Sequence, residues 1–96
     1  MRARFHSAAA REMRDASTFY DTRESGLGAR FAAAVRRAVE LLLQYPEGGP
    51  VVRGKTRRVV VKGFPYTLFY VVRKEELRIL AVAHQRRRPF YWAGRR

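Results

Sequence analysis

The chain has 96 residues, no cysteine, and a formal charge of +13 from 21 Lys and Arg against 8 Asp and Glu. That length makes one domain, residues 1–96, with enough surface to bury for a modest core and without disulfides, a thiolate zinc site or a thiol nucleophile. No apolar run approaches the roughly 18 residues of a membrane span, and the basic N-terminus lacks the apolar stretch of a secretory signal, so no membrane partner and a cytoplasmic location are expected.

Arg2-Ala3-Arg4-Phe5 alternates polar and apolar residues, as a short strand does. Ser7 then stands as the expected N-cap of a helix whose buried stripe is Ala9, Met13, Ala16 and Tyr20. Ser25-Gly26-Leu27-Gly28 breaks that helix, with Gly26 as its C-cap. A second helix carries Phe31, Val35, Ala38 and Leu42 on one stripe, widened by Ala34, Val39 and Leu41, and Tyr45-Pro46-Glu47-Gly48-Gly49-Pro50 ends it. So short a link predicts an antiparallel helical hairpin over about 7–45.

The second half reads as a sheet over about 56–84. Arg57 to Lys62 is a β-branched strand, and Gly63-Phe64-Pro65 is a turn. Tyr66 to Val72 is apolar apart from Thr67, the pattern of a central strand covered on both faces. Arg73-Lys74-Glu75-Glu76 turns the chain into a last strand, Leu77 to Ala83. The order β-α-α-β-β-β predicts an α+β fold, a short N-terminal strand and a helical hairpin packed on one face of an antiparallel sheet.

A basic and aromatic C-terminal segment, 84–96, follows: His84-Gln85-Arg86-Arg87-Arg88-Pro89-Phe90-Tyr91-Trp92 and onward. Disordered tails are poor in aromatics, so this one is expected to dock on the body. The charge is one-sided. Residues 1–47 hold eight basic and six acidic residues, whereas residues 48–96 hold thirteen basic residues and only Glu75 and Glu76 as acids. A field of that kind implies a polyanionic partner, nucleic acid or an acidic protein.

Common enzyme templates are missing: no Gly-rich phosphate loop, no H-E-x-x-H, no Gly-x-Ser-x-Gly. His6 and His84 are the only histidines and neither has an acid close in sequence, so neither metal nor cofactor is expected. Glu12, Asp15, Asp21, Glu24 and Glu40 read as solvated helix faces, with Arg36 or Arg37 as partners for Glu40. Phe64, Tyr66, Phe69 and Tyr70 read as core. His84 suits a structural hydrogen bond or a general base. Arg57, Arg58, Arg86, Arg87 and Arg88 are the candidates for anion contact, with Tyr91 and Trp92 as a plug or a contact surface. Neighbours on a strand point to opposite faces, so only one of Arg57 and Arg58 shares a surface with the C-terminal arginines. Such a cationic site can cleave RNA without metal if Tyr91 or His84 moves the protons.

Taken together, Tyr20-Asp21 before the helix break, Tyr45-Pro46 closing the second helix, Arg57-Arg58, Phe64-Pro65-Tyr66 and the run Ile79 to Trp92 with its H-x-R-R-x-P-x-x-W ending resemble the RelE/ParE superfamily of type II toxin–antitoxin toxins. The resemblance implies a growth inhibitor neutralised by an acidic antitoxin whose C-terminal segment orders on binding. It implies one of two activities: cutting mRNA in the ribosomal A site, as RelE-like members do, or poisoning DNA gyrase, as ParE-like members do. The RelE-like pattern places two cations at i, i+2 on the strand after the helices, here Arg58 and Val60. It also places an arginine after the aromatic of the next strand, here Thr67 after Tyr66. Its later arginine is matched by Arg86, and its C-terminal tyrosine falls at Trp92, or at Tyr91 with a one-residue shift. Two cations are vacant, so the resemblance points to the ParE-like (plasmid stabilisation) branch and gyrase. The alternatives are a ribosome-dependent mRNA endonuclease using Arg58, Arg86, Tyr91 and His84, and a plain basic nucleic-acid-binding module without toxicity.

Overall fold

The computed structural model describes all 96 residues. In chain order they form β1 (Arg2–Phe5), α1 (Ser7–Arg23), α2 (Leu27–Gln44), β2 (Val51–Arg53), β3 (Thr56–Val60), β4 (Tyr66–Arg73) and β5 (Glu76–His84). The strands make one sheet in the order β1-β5-β4-β3-β2, and α1 and α2 cover one of its faces.

The α+β class and the helical hairpin follow the sequence pattern, and the sheet adds two features to it. It is mixed rather than wholly antiparallel, because β1 runs parallel to β5 at one edge, Ala3 opposite Leu77 and Phe5 opposite Ile79. The α1–α2 hairpin carries the chain away from β1 and back over the sheet, so the long crossover that a parallel pair needs is supplied. A fifth strand, β2, lines the other edge with Val51 opposite Arg57. Three residues between two glycine-containing turns are too short to show alternation.

The main core lies between the helices and the sheet. Ala9 and Ala16 from α1, Phe31, Ala34, Val35, Val39 and Leu42 from α2, and Val61, Leu68, Tyr70, Leu77, Ile79 and Val82 from the sheet side are all buried. Tyr20, Phe31, Phe64 and Tyr66 close one end of it as a set of rings with centroids 4.9–6.2 Å apart, edge-to-face except for the tilted pair Tyr20 and Phe31. Leu41, expected on the buried stripe of α2, is instead 54% exposed, because the stripe is already filled by Ala34, Val35, Val39 and Leu42. No helix is long and apolar enough to cross a membrane.

Helix ends depart from the expected capping. His6, not Ser7, caps α1: its Nδ1 accepts from the Ala8 amide at 3.0 Å. Gly26 is not the C-cap of α1, which is Glu24; Gly26 is the N-cap of α2, at φ +87°. A glycine cap has no side chain to offer, and Asp21 of α1 replaces it, its Oδ1 accepting from the Gly28 amide at 2.7 Å. Gly28 is required there, since a Cβ would run into the Ser17 carbonyl and the Asp21 carboxylate. Asp21 therefore fixes the helical hairpin. Nor does Glu40 pair with Arg36 or Arg37; the ion pairs are Arg4–Glu76, Arg30–Glu24 and Arg95–Glu12.

The loop Pro46–Pro50 is tied down from the helix side of the sheet. The Tyr70 hydroxyl donates to the Pro46 carbonyl and accepts from the Gly49 amide, both at 3.0 Å. Arg57 donates to the Gly49 carbonyl at 2.7 Å and the Glu47 carbonyl at 3.1 Å. A buried tyrosine hydroxyl needs partners, and here they come from the loop that joins α2 to β2.

Candidate functional site

The face of the sheet away from the helices is crossed by the C-terminal segment. After β5 the chain turns back, and Trp92 lands on Phe69 with ring centroids 4.5 Å apart and planes 25° apart. With Ala81 and Ala83 beneath it, Trp92 is only 3% exposed. The small side chains of Ala81 and Ala83 make the depression, and the stacked indole fills it. The tail is docked, as its composition implied, and Phe69 belongs to this second core and not to the helix-covered one.

A polar clamp fastens the same segment to the edge of the sheet. β1 pairs with β5 only as far as Ile79, so beyond it β5 keeps β4 on one side and has no strand partner on the other. Glu12 of α1 accepts from the Val82 amide at 3.0 Å, and Arg95 donates to the Leu80 carbonyl at 3.0 Å. Arg95 also forks onto Glu12, at 2.9 and 3.0 Å, and the Tyr91 hydroxyl donates to Glu12 at 2.7 Å. One carboxylate and one guanidinium thus finish the ladder where β1 stops.

Glu12 is therefore not the solvated helix residue its neighbours suggested; its side chain is 15% exposed. Burial alone would raise its pKa, but hydrogen bonds from Arg95, Tyr91 and the Val82 amide outweigh burial and hold it below the ordinary carboxylate value. Tyr91 is pushed the other way, above the ordinary phenol value, by burial and by the hydrogen bond and charge of Glu12. The Arg87 guanidinium lies 3.8 Å and that of Arg95 5.1 Å from the Tyr91 ring centroid. A phenol held in this way is a poor proton carrier.

The remaining candidates separate by register. Arg58 stands opposite Phe69, and Arg57 opposite Tyr70. Arg58 therefore shares the face of the docked segment, while Arg57 belongs to the helix side and is engaged by the Pro46–Pro50 loop. Val60 is opposite Thr67, so the two residues at the vacant cation positions are neighbours on the open face. Arg86 and Arg88 are exposed. His84 lies on the helix side against Tyr66, with centroids 5.2 Å apart, and its Nδ1 accepts from the Arg86 amide at 3.0 Å. With Asp15, Phe19 and Arg87 it borders a cleft of about 200 Å³. Two features were not legible in sequence. One is Arg95, whose carboxylate partner lies far away in the chain. The other is a groove of about 440 Å³ where exposed Leu41 of α2 and its C-cap Tyr45 face Arg58, Val59 and Val60 at the β3 edge.

The architecture is thus two helices over a five-stranded sheet, with a basic segment across the far side. The profile of the family described as "ParE toxin of type II toxin-antitoxin system, parDE" matches residues 3–89, and the chain belongs to that family. Among solved structures it is similar to a chain of the "Chromosomal ParDE TA system from P. aeruginosa", with 17% identity, a TM-score of 0.77, and coverage of 88% of this chain and 95% of that one. At that identity the likeness shows the fold. The curated proteins yield no match. The chain is thus a toxin component of a type II toxin–antitoxin system.

Proposed function

We propose that this toxin acts by binding, in the ParE manner, with DNA gyrase as its target, and that an acidic antitoxin neutralises it in the cytoplasm. The carrying observation is the neutral patch of Val60 and Thr67 on the open face, where the RNA-cleaving branch of the superfamily has cations. A phosphoryl-transfer site depends on charge placed at the reacting phosphate, and loss of one such donor costs about 10²–10³ in rate. Tyr91 adds to this: its hydroxyl is committed to Glu12 at 2.7 Å. What speaks against RNA cleavage is therefore two vacant cation positions and a phenol that is not free to carry a proton.

The test is macromolecular synthesis after induction of this gene alone in a bacterial host. Thymidine incorporation is expected to fall before methionine incorporation, followed by accumulation of trapped gyrase–DNA cleavage complexes. An earlier fall in methionine incorporation would make the toxin a translation inhibitor, and Arg58, Arg86 and His84 would become the residues to examine.

For the antitoxin, the groove between α2 and the β3 edge has the right chemistry: apolar walls from Leu41, Tyr45 and Val60, with Arg58 on the rim for an acidic chain. Tyr45 is 62% exposed, so Tyr45→Glu should leave stability within about 0.5 kcal/mol of the parent. The same change is expected to weaken antitoxin capture by at least tenfold, measured by titration calorimetry, because a buried hot-spot aromatic is worth about 2 kcal/mol or more.

A further inference from the structure

His6 sits where β1, α1 and β5 meet. Its amide donates to the Ile79 carbonyl of β5 at 2.8 Å, and its carbonyl accepts from the Ala10 amide of α1 at 2.9 Å. The backbone is therefore fixed on both sides, and the imidazole is held over the first turn of α1, where Nδ1 accepts from the Ala8 amide at 3.0 Å. That contact exists only while Nδ1 carries no proton, because an imidazolium presents an N–H donor at both nitrogens.

Charged groups act on this imidazole from three elements. Arg95 of the C-terminal segment, Arg78 of β5 and Arg11 of α1 oppose its protonation, and Glu12 of α1 favours it. Glu12 is already shared among Arg95, the Tyr91 hydroxyl and the Val82 amide. Partial burial first, and then the three guanidiniums, hold His6 below its ordinary value of 6.5. Two of those guanidiniums also hold the end of the chain. Arg78 donates to the Arg96 carbonyl through Nε at 3.3 Å and Nη2 at 3.2 Å, and Arg95 is fastened to Glu12 and to the Leu80 carbonyl. A proton on His6 therefore ends the helix cap and adds a cation to the cluster that keeps residues 95 and 96 in place.

We propose that His6 is a pH-sensitive fastener between α1 and the C-terminal segment. Neutral, it caps the helix and leaves Arg78 and Arg95 to their carbonyl and carboxylate partners. Protonated, it frees the first turn of α1 and loosens the C-terminal segment from the sheet edge. The composition leaves it few rivals. With two histidines and no cysteine, the groups that titrate between about pH 5.5 and about pH 7.5 are His6, His84 and the amino terminus. His84 makes a similar contact, accepting from the Arg86 amide at 3.0 Å, but in an exposed turn where its loss frees no helix end. The sign follows from the lowered folded value of His6. The unfolded chain binds the proton more readily, so the contribution of His6 is complete above about pH 6.5 and is lost as pH falls through the folded value. The device is independent of the toxin's target.

The experiment is thermal unfolding of the full-length chain at about pH 7.5 and about pH 5.5, for the parent, His6→Asn and His84→Asn. The parent's melting temperature is expected to fall by about 4 °C or more on acidification, the worth of one helix cap in a domain of this size. His6→Asn should lose most of that difference, because an asparagine oxygen caps a helix at either pH. His84→Asn should keep it. Proton NMR of the parent supplies the local reading. The His6 ring is expected to titrate below 6.5, its ordinary value, and the Ala8 amide and the Trp92 indole signals should move with the same midpoint. A pH difference that persists in His6→Asn would overturn the proposal, as would a His6 ring that titrates at or above its ordinary value. Trp92 signals that stay still while the His6 ring titrates would confine His6 to the helix cap and sink its link to the C-terminal segment.

Discussion

Replacing Glu12 with alanine is expected to lower the unfolding free energy by about 3 kcal/mol in urea at neutral pH. Three partners lose their acceptor at once: the Val82 amide, the Tyr91 hydroxyl and the Arg95 fork. Arg95 keeps only the Leu80 carbonyl, and its side chain is 18% exposed, so the guanidinium is left mostly desolvated and unpaired. Against a total stability of about 5–15 kcal/mol for a small domain, such a loss is large. The pH dependence follows from the same contacts. The folded carboxyl is held below its unfolded value, so the unfolded chain binds the proton more readily. The contribution of Glu12 is therefore complete above about pH 4.3, the ordinary carboxylate value, and is lost as pH falls through the lower folded value. Urea midpoints of the parent should drop between about pH 5 and about pH 3, with a smaller drop in Glu12→Gln, whose amide still offers Val82 an acceptor but does not titrate. Parallel pH curves for the two proteins would assign the acid sensitivity to other carboxylates.

The helical hairpin and the three long strands were legible because their signals are local. Phe31, Val35 and Leu42 recur at helical spacing, and Tyr66 to Val72 is an apolar run between turns. What could not be read depends on distance in the chain or on what lies opposite. The parallel pairing of β1 with β5 is decided by the hairpin that separates them. Three residues of β2 carry no periodicity. Glu12 looks like a surface acid because its sequence neighbours Arg11, Arg14 and Asp15 are solvated, and its partners stand 70 to 83 residues away. The same holds for the site. His84, Tyr91 and Arg57 read in sequence as side chains able to bind or react, yet each has a structural partner, His84 the Arg86 amide, Tyr91 Glu12, and Arg57 the Pro46–Pro50 loop. Arg58 was separable from Arg57 by strand alternation alone, and the register bears out that they face opposite ways.

Trp92→Ala should have an effect of similar size by a different route, about 3–5 kcal/mol. The indole is the lid of a second core whose floor is Phe69, Ala81 and Ala83. Truncation removes the stacked ring and opens a hole that two alanines cannot close, because their side chains have nothing to extend into it. Being the only tryptophan, Trp92 reports on its own burial: the parent's emission should be blue-shifted and should move to the red in step with loss of helix as urea is raised. Trp92→Phe is expected to recover more than half of the lost stability, since a ring can still stack on Phe69. The sharper comparison is a chain ended after Pro89. It keeps every residue matched to the family but loses Tyr91, Trp92 and Arg95 together, leaving Phe69 uncovered, Glu12 without its cation and the Leu80 carbonyl without its donor. Those losses couple through one segment, so they act as a unit. The shortened chain should bind a hydrophobic dye strongly and unfold without a cooperative transition. A cooperative unfolding curve at the parent's midpoint would show instead that the helix-covered core suffices alone, and that the C-terminal segment is held in place for what it binds.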